Sequence, residues 1–337
     1  MTQLLYFASF KAKPLKPTAM SLKKQIPSST QLQFDVDFFE NNFKERHIKD
    51  INRLSGSRKF RRYFAPTEHV RKIHKEIIEK LRKVLASRLS TSSGSYFNAS
   101  PFKNLLGHRF FAGNRKLFFP RYWYTVDFKD AYDSVTDAKL LKAFGADIKD
   151  KDLLDKLKTC CFTPAGHLIT GANASPLLFY GYCELTIDGP LREFCRDHGL
   201  TYKRYFDDLV FSSKKPIERF KKKALLKIIR ENGGFEVNHR KIKYLDLAKG
   251  PIMFNGYCLE HRKGEQRIFL PKRHLLHLKG LLWSALNGND PPEPSVIIGH
   301  LNVFLHLIKE RGCGSNSLET QIYDLWQSYR VKNLKVV

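Results

Sequence analysis

The sequence lacks the cysteine spacing that would indicate a disulfide framework or a zinc ribbon. It has six cysteines in 337 residues, with no Cys-x-x-Cys pair and no paired clusters of cysteine and histidine. Disulfide-rich secreted domains and structural zinc sites both depend on such spacing. We therefore expect the thiols to be reduced and mostly buried, as in a cytoplasmic protein.

Long apolar runs are also missing. No segment approaches the roughly 18 consecutive apolar residues that a membrane-spanning helix needs. The apolar patch in residues 1–10 has no basic region before it and no small-residue cleavage site after it, unlike a signal peptide. The sequence predicts a soluble, cytoplasmic protein with no membrane partner.

Acidic residues are scarce relative to basic ones. The chain has 33 Asp and Glu against 59 Lys and Arg, which gives a formal net charge of +26. Nucleic acid, an anionic membrane or an acidic protein would each balance such an excess. Because the basic residues recur from Lys11 to Lys335 and do not form one amphipathic segment, the pattern favours the phosphate backbone of a nucleic acid.

The chain nevertheless contains enough apolar material for a folded protein. Its 42% apolar and 13% aromatic residues exclude disorder throughout the chain. The apolar periodicity predicts helices over residues 34–51, from Thr67 onward, over residues 177–198 and from Pro216 to Gly233. In the last of these, the apolar positions are Ile217, Phe220, Ala224 and Ile228.

A change of composition marks the C-terminal part of the chain. From Pro271 onward the pattern is helical, with a proline-rich break at residues 290–294. The predicted helices cover residues 275–286, 296–308 and 318–329. This pattern indicates a small helical domain.

Two adjacent carboxylates, Asp207 and Asp208, lie between apolar runs that are typical of buried strands. The pair falls where a tight hairpin turns, which places both side chains at one edge of a sheet. Such close carboxylates resist ionising together unless a cation lies between them, so the pair indicates a divalent metal. The alternative is a solvated loop tip, because Asp is common in exposed turns.

A third carboxylate, Asp127, follows the β-prone run at residues 122–126. At the end of a strand it points off the sheet, although a helix cap is the alternative. Three carboxylates on neighbouring strands hold two divalent ions about 4 Å apart in nucleotidyl transfer. Upstream, basic and aromatic residues alternate in residues 55–66. This pattern indicates either strands that direct Arg or Lys at a triphosphate or an ordinary charged edge strand.

Several segments together resemble the motifs of reverse transcriptases, in the family order and over roughly residues 55–265. They are residues 127–132 (DFKDAY, motif A), 171–176 (GANASP, motif B), 205–208 (YFDD, motif C), 234–238 (GFEVN, motif D, with Lys241) and 253–259 (the position of motif E). The chain is most similar to the compact bacterial enzymes of retrons and of abortive-infection and other defence systems. It departs from them in having Thr170 where Gln is common and FNG at residues 254–256 where VTG is expected.

This resemblance implies an α+β right-hand polymerase with fingers, a palm of antiparallel sheet flanked by helices, and a small helical thumb. The implied boundaries are residues 1–54 for a basic, helical N-terminal extension, 55–122 for the fingers with part of 145–175, 123–265 for the palm and 266–337 for the thumb.

The resemblance also implies roles for individual residues. The catalytic carboxylates would be Asp127, Asp207 and Asp208, and the metal ligands would be these three and Phe128. The nucleotide-binding residues would be Lys59, Arg61, Tyr132, Gly171 and Lys241. Tyr132 would exclude a 2′-hydroxyl, and Lys241 would donate a proton to pyrophosphate, although an ordinary exposed lysine is the alternative. The nucleic-acid contacts would be Gly256, Lys272 and Arg273.

By resemblance, the protein is an RNA-directed DNA polymerase that uses deoxynucleoside triphosphates and two Mg²⁺ ions, for which Mn²⁺ can substitute. Its partners would be a dedicated noncoding RNA as template and the DNA product, in bacterial anti-phage defence. Two alternatives stay open: a template-independent or protein-primed polymerase, and a catalytically idle RNA-binding scaffold. The sequence predicts neither the oligomeric state nor the template.

Overall fold

The described part of the chain is a mixed α+β structure, as expected. The computed structural model describes residues 29–51, 58–85, 111–112, 116–117, 120–144, 148–254, 257–262, 265–288, 290–311 and 317–333. Within these ranges every paired strand is antiparallel to its neighbour.

The N-terminal part forms a helix and a hairpin. Its elements are α1 (Ser29–Asn42), β1 (Phe43–Ile51), β2 (Arg58–Pro66) and α2 (Glu68–Leu85). The prediction of one helix over residues 34–51 was wrong, because the chain becomes extended at Phe43. Strand β1 pairs with β2 over its whole length in a hairpin, and this cross-strand pairing overrides the local helical pattern. Helix α2 is confirmed, with Val70, Ile77 and Leu81 buried.

A short hairpin and the first helices of the central part come next. They are β3 (Phe111–Ala112), β4 (Lys116–Leu117), β5 (Tyr122–Asp127), α3 (Asp137–Phe144) and α4 (Lys151–Cys161). Then follow α5 (Ser175–Cys183), a π-helical turn (Glu184–Asp188), α6 (Gly189–Asp197), β6 (Thr201–Tyr205), β7 (Asp208–Ser213), α7 (Arg219–Gly233) and β8 (Lys243–Asp246).

The central sheet has four strands in the order β6-β7-β5-β8. In chain order, strand β5 is followed by helices, then by the β6–β7 hairpin, then by α7 and the edge strand β8. Two strand–helix–strand units interleaved in this way form the split βαβ, or ferredoxin-like, arrangement. Both inner strands, β5 and β7, are therefore paired on either side.

The two faces of this sheet belong to different cores. Tyr124 and Val126 pack with helices α2 to α7 in the first core. Trp123 and Val210 lie on the opposite face and join a second core. Because side chains alternate along a strand, Thr125 and Asp127 share the second face with Trp123. Asp127 therefore projects away from helices α2 to α7.

The C-terminal elements cover part of the second face. They are β9 (Ile252–Phe254), β10 (Tyr257–Arg262), β11 (Glu265–Phe269), α8 (Lys272–Asn287), α9 (Pro294–Arg311) and α10 (Ser317–Asn333). The three predicted helices are confirmed. Each of these helices contributes buried residues to the second core, among them Leu275, Leu301 and Ile322, and this core also contains Leu259 of β10.

Helix α7 differs from its prediction. It begins at Arg219, and it buries Leu225 and Ile229. Phe220, which the periodicity assigned to the apolar face, is 57% exposed. The predicted stripe was counted from Ile217, which is buried but precedes the helix, so the helical spacing did not extend from it to Phe220.

Helix character and cysteine burial are both visible in the described part of the chain. None of the helices described there combines the length and the apolar character needed to cross a membrane. Its cysteines carry free thiols, and four of them, Cys160, Cys161, Cys183 and Cys195, are buried. Burial raises the pKa of the Cys195 thiol to about 12, which disfavours the thiolate form. Cys313 lies outside the described residues.

The N-terminal hairpin meets the body of the protein at the small-residue loop before α5. The N–H of Phe64 donates a hydrogen bond to the carbonyl oxygen of Thr170 at 2.8 Å. The next residue, Gly171, has a φ of +106°, and a Cβ atom there would lie 2.7 Å from the Phe64 carbonyl oxygen. Both the backbone conformation and the close approach require glycine.

Replacing Gly171 with Ala should therefore destabilise the protein. The strained φ and the clash with Phe64 together should lower the free energy of unfolding by about 1–3 kcal/mol, measured by urea denaturation. Gly280→Ala is the matched control, because a Cβ at this position of α8 meets open space. That control should be neutral or more stable by about 0.5–1 kcal/mol. Equal stability of Gly171→Ala and the wild type would contradict this account.

Candidate active site

The three aspartates predicted from the sequence meet at one end of the central sheet. Asp127, the last residue of β5, lies opposite Asp208, the first residue of β7, in the strand register. Asp207 occupies the turn that joins β6 to β7. Directly opposed residues in an antiparallel pair have Cβ atoms about 4.5–5.5 Å apart. The strand pairing alone thus brings Asp127 and Asp208 into contact range.

An open cleft of about 360 Å³ lies in front of these carboxylates. Asp127, Asp208 and Lys241 line it on the sheet side, and Ile252 and Met253 of β9 line it on the other. Asp208 is exposed as a residue, but its carboxyl group faces this cleft. The cleft opens on the second face of the sheet, opposite helices α2 to α7, in the part next to β9.

The carboxyl group of Asp208 is electrostatically strained. Its pKa is raised to about 6, first because it is partly removed from solvent, and then because Asp207 and Asp127 are negatively charged. Contact with the Asp127 side chain acts in the same direction, while the Lys241 ammonium lowers the pKa. Clustered carboxylates with too little positive charge around them have this signature.

Lys241 is the cation nearest to Asp127 among the contacts of the site. Its Nζ atom lies 2.8 Å from Oδ1 and 2.9 Å from Oδ2 of Asp127. The loop that carries it is fixed to the end of β5, because the N–H of Asn238 donates to the Asp127 carbonyl oxygen at 2.8 Å. The N–H of Lys241 in turn donates to the carbonyl oxygen of Asn238 at 2.9 Å.

The donor chemistry suits a divalent cation, but the site is not preformed. Within the described ranges, no group of three or more His, Cys, Asp or Glu side chains is arranged to hold a metal ion. Carboxylate oxygens are nevertheless the ligands that Mg²⁺ prefers. Because the Lys241 ammonium contacts both oxygens of Asp127, it would compete with a metal ion for this carboxylate.

A buried ion pair lies directly behind the turn that carries Asp207. The side chains of Arg204 and Asp188 are 1% and 0% exposed. Nε of Arg204 donates to Oδ1 of Asp188 at 2.9 Å, and the Tyr202 hydroxyl donates to the same oxygen at 2.6 Å. Burial alone would raise the pKa of Asp188, but Arg204 outweighs it and holds the pKa below its usual range.

Arg204 also holds the turn itself. Its Nη1 atom donates to the carbonyl oxygen of Phe206 at 3.1 Å. Phe206 has a φ of +53°, a left-handed conformation that is unfavourable for a bulky side chain. Asp188 ends the π-helical turn between α5 and α6, and such turns are frequent at functional sites. The ion pair therefore stabilises a strained turn next to the carboxylates.

The other predicted nucleotide contacts lie in different surroundings. Lys59 and Arg61 are in β2, paired with Asp50 and Ile48, and their side chains lie outside the described residues. Tyr132 is half-buried, and its ring stacks on Phe179 with the centroids 5.1 Å apart. Gly171 lies against β2, as described above.

The remaining predicted positions are divided between the site and the C-terminal part. Phe128 is buried, and its N–H donates to the Asp207 carbonyl oxygen at 3.3 Å. Lys272 and Arg273 are exposed in the first turn of α8. Gly256 lies outside the described residues. The structure thus brings together the three aspartates, Phe128 and Lys241 out of the predicted set.

The sequence did not reveal two contacts of this site. Arg204 stands three residues before Asp207 in an evident motif, but its alternation with apolar residues did not distinguish a buried arginine from an exposed one. Its partner Asp188 lies in a helical run where an aspartate is ordinarily exposed. Lys241 was predicted as a proton donor, and its ion pair with Asp127 was not foreseen.

Comparisons with known proteins give distant structural likenesses. No family model matches the chain, and no curated protein matches it. Among solved structures it is similar to apo telomerase from Candida Tropicalis, with 12% identity and a TM-score of 0.46 over 90% of this chain and 72% of that one. The same telomerase truncated from its C-terminal domain gives 14% identity and a TM-score of 0.44 over 70% and 55% of the two chains.

A third similar structure is telomerase from Candida albicans in complex with a TWJ fragment of telomeric RNA. It has 12% identity and a TM-score of 0.44 over 91% of this chain and 61% of that one. The chain therefore spans about half to three-quarters of the length of the telomerases it matches. With TM-scores below 0.5, these likenesses decide neither the fold nor the function of this chain.

Proposed function

We propose that this chain is an RNA-directed DNA polymerase in which the central sheet is the palm. The β1–β2 hairpin and α2 belong to the fingers, and α8 to α10 form the thumb. The observation that carries the proposal is the opposition of Asp127 and Asp208 across paired strands, with Asp207 in the adjacent turn and an open cleft in front. Three carboxylates at the uncovered edge of a sheet are the donor set of two-metal nucleotidyl transfer.

In this proposal the carboxylates hold Mg²⁺, with Asp127 and Asp208 as ligands from opposite strands and Asp207 beside them. The bound ions supply Lewis-acid activation of a 3′-hydroxyl and neutralise charge on the triphosphate. Lys241, whose Nζ atom pairs with Asp127 in this structure, would be the residue that donates a proton to the leaving pyrophosphate. The loop that carries Lys241 is anchored to β5 throughout.

The finer parts of the proposal rest on the motifs. Tyr132 would select the sugar, Lys59 and Arg61 would contact the triphosphate, and Lys272 and Arg273 would contact the paired strands. The net charge of +26 suits an RNA template and a DNA product. On the resemblance alone, the proposal also includes a biological role: the enzyme would be cytoplasmic and would copy a dedicated noncoding RNA in bacterial defence.

Replacing Asp207 or Asp208 with Asn tests the activity. Each change removes one metal-binding charge, so Mg²⁺-dependent incorporation of deoxynucleotides on an RNA template and primer should fall by at least about 10³-fold. Asp133→Asn, an exposed carboxylate in the turn after β5, is the control and should keep its activity. Sequencing of the product distinguishes copying from untemplated addition. Retained incorporation by Asp208→Asn would refute the proposal.

The demand for a cation has a consequence for stability. An ordinary Asp has a pKa of about 3.9, and the pKa of Asp208 is raised to about 6 in the folded chain. The ionised form is therefore penalised on folding, and stability is lost as pH rises from about 4 through 6. At pH values below both pKa values this penalty is absent.

With EDTA present, Asp208→Asn should unfold at a higher temperature than the wild type at pH 8, because the variant carries no charge at this position. The difference should shrink as pH is lowered and vanish near pH 4, as measured by thermal unfolding monitored by circular dichroism. Asp133→Asn should not show this pH dependence. A variant no more stable than the wild type at pH 8 would contradict the electrostatic account.

Arg204 provides a test of positioning. Arg204→Met leaves Asp188 buried without a counter-ion and should cost about 3–5 kcal/mol of stability. The double variant Arg204→Met with Asp188→Leu replaces the pair by apolar side chains and should regain most of that loss in urea denaturation. It cannot restore the hydrogen bond to Phe206, so its incorporation rate should stay low. Recovery of both stability and incorporation rate would contradict a positioning role for Arg204 and leave the ion pair with a structural role alone.

A further inference from the structure

A stripe of basic residues follows the exposed side of helix α7. Leu225 and Ile229 of this helix are buried in the first core. Its exposed side carries cations at successive spacings of four, four and three residues, which places them on one side of the helix over about 16 Å of its axis. These exposed residues are Arg219, Lys223, Lys227 and Arg230, and we call them the basic ridge.

The basic ridge is unfavourable for the helix that carries it. Arg219 and Lys223 are four residues apart, as are Lys223 and Lys227, and like charges at this spacing repel each other. The first turn of α7 contains no acidic residue, although the partial positive charge at a helix N-terminus favours acids there. Glu218, the residue before the helix, lies 2.9 Å from Lys221, which is not part of the ridge. This arrangement of charges therefore costs stability.

Acidic residues near the ridge do little to balance it. Glu231 lies 3.8 Å from Lys227, and within the described ranges the other three ridge residues form no ion pair. On helix α6, which packs beside α7, the carboxylates of Glu193 and Asp197 lie 3.8 Å and 3.3 Å from the guanidinium of Arg196. The ridge therefore keeps an excess of positive charge.

Helix α2 shows the arrangement expected of a charged face that is only solvated. It carries Glu68, Glu76 and Glu79 among its basic residues. Arg71 lies 3.5 Å from Glu68, and Lys156 of α4 lies 3.1 Å from Glu76. Interspersed charges of both signs keep a surface soluble. A stripe of one sign on α7, kept at a cost in stability, is instead typical of a surface that binds a polyanion.

The basic ridge and the carboxylates lie on different sides of the central sheet. Helix α7 packs on the face that carries Val126, through Leu225 and Ile229. The cleft in front of Asp127 and Asp208 opens on the second face. Nucleic acid that is being copied in this cleft therefore leaves the ridge to another segment.

We propose that the basic ridge binds the phosphate backbone of a double-stranded segment of a folded RNA, outside the stretch that is copied. The inference rests on the proposed function for the identity of the polyanion, because a folded RNA template brings such segments to the protein. The net charge of +26 also suits a large polyanion better than a short acidic peptide. Duplex RNA is recognised through its shape and backbone, so no side chain has to read a base.

The composition of the ridge favours a duplex over a single strand. Single strands are held largely by bases that stack on aromatic faces. The aromatic residue of α7, Phe220, packs edge to face with His198, with the ring centroids 6.3 Å apart. Nζ of Lys221 lies 5.7 Å from the centroid of the same Phe220 ring. The ridge itself consists of Lys and Arg, which contact phosphates without regard to sequence.

Removing two ridge charges should weaken binding without weakening the fold. Fluorescence anisotropy of the full chain, in EDTA and without nucleotides, measures the affinity for a short labelled RNA duplex with blunt ends. The double variant Arg219→Gln with Lys223→Gln should bind roughly 10- to 50-fold more weakly at about 0.1 M salt, and the slope of log affinity against log salt should fall by about 1.8. Its melting temperature should equal or slightly exceed that of the wild type, because repulsion within α7 is relieved.

The matched control is Lys72→Gln with Lys75→Gln, which removes the same charge from exposed positions of α2. Charges beyond about 10 Å are largely screened at this salt concentration, so the control should bind the duplex within about twofold of the wild type. Primer extension on a short hybrid without flanking RNA should also stay within about twofold in the ridge variant, because the ridge lies away from the cleft. Equal losses of duplex affinity in the ridge variant and the control would overturn the proposal.

Protection of lysine side chains from acetylation locates the bound duplex. As quantified by mass spectrometry, the reaction of Lys223 and Lys227 should slow when the duplex is added, and the reaction of Lys72 and Lys75 should not. The same protection is expected in Asp208→Asn, so binding at the ridge and polymerase activity can fail independently. Unchanged labelling of Lys223 and Lys227 would overturn the proposal even if the duplex binds elsewhere on the protein.

Titrations with other polyanions test the identity of the ligand. A larger loss for the RNA duplex than for single-stranded oligouridine in the ridge variant supports the proposal, whereas a loss confined to the single strand would overturn it. A loss for polyglutamate at least as large as that for the duplex would assign the ridge to an acidic protein partner, and this outcome would overturn the proposal as well.

Discussion

The site depends on one buried ion pair, that of Arg204 with Asp188. An unpaired charge in this position would be costly, so the two side chains must form their ion pair as the helices pack on the sheet. This ion pair connects the end of the π-helical turn to strand β6. Because Arg204 has a further donor directed at the Phe206 carbonyl oxygen, the same pair holds the strained turn that carries Asp207. The ion pair that is buried as the first core packs is therefore also the one that positions the turn with Asp207.

The alternation of side chains along β5 then places the residues that pack against helices α2 to α7 on one face of the sheet and Asp127 on the other. On β5, Tyr124 and Val126 stabilise the helical side of the sheet, while Trp123 anchors the C-terminal elements and Asp127 lies beyond it on the same face. A slip of one residue in the pairing of β5 with β7 would bury Asp127 among apolar side chains and expose Val126. The burial preference of the apolar residues thus fixes the position of the carboxylate.

The sequence was informative where a local pattern has only one structural outcome. The three aspartates were identified because β-prone runs lie beside them and because the motifs follow the order of the family they resemble. Helix α2 was identified because its apolar positions repeat at helical spacing. Strand β1 was missed because its conformation is decided by pairing with β2 in a hairpin, and the apolar periodicity of β1 alone does not report that pairing. Phe220 was misassigned because the predicted stripe was counted from Ile217, which precedes the helix. The pairing of Asp188 with Arg204 left no periodic signal, since a buried charge violates the usual pattern.

The ammonium of Lys241, carried by the loop after α7, is a counter-ion of Asp127 that is tethered to the protein. The loop is fixed to β5 through Asn238, three residues away, so the ammonium is present at a high effective concentration next to the carboxylate. A dissolved cation that bound Asp127 would have to compete with this internal ammonium as well as with water. The length and stiffness of residues 238–241 would therefore influence the cation concentration at which Asp127 exchanges Lys241 for a dissolved ion.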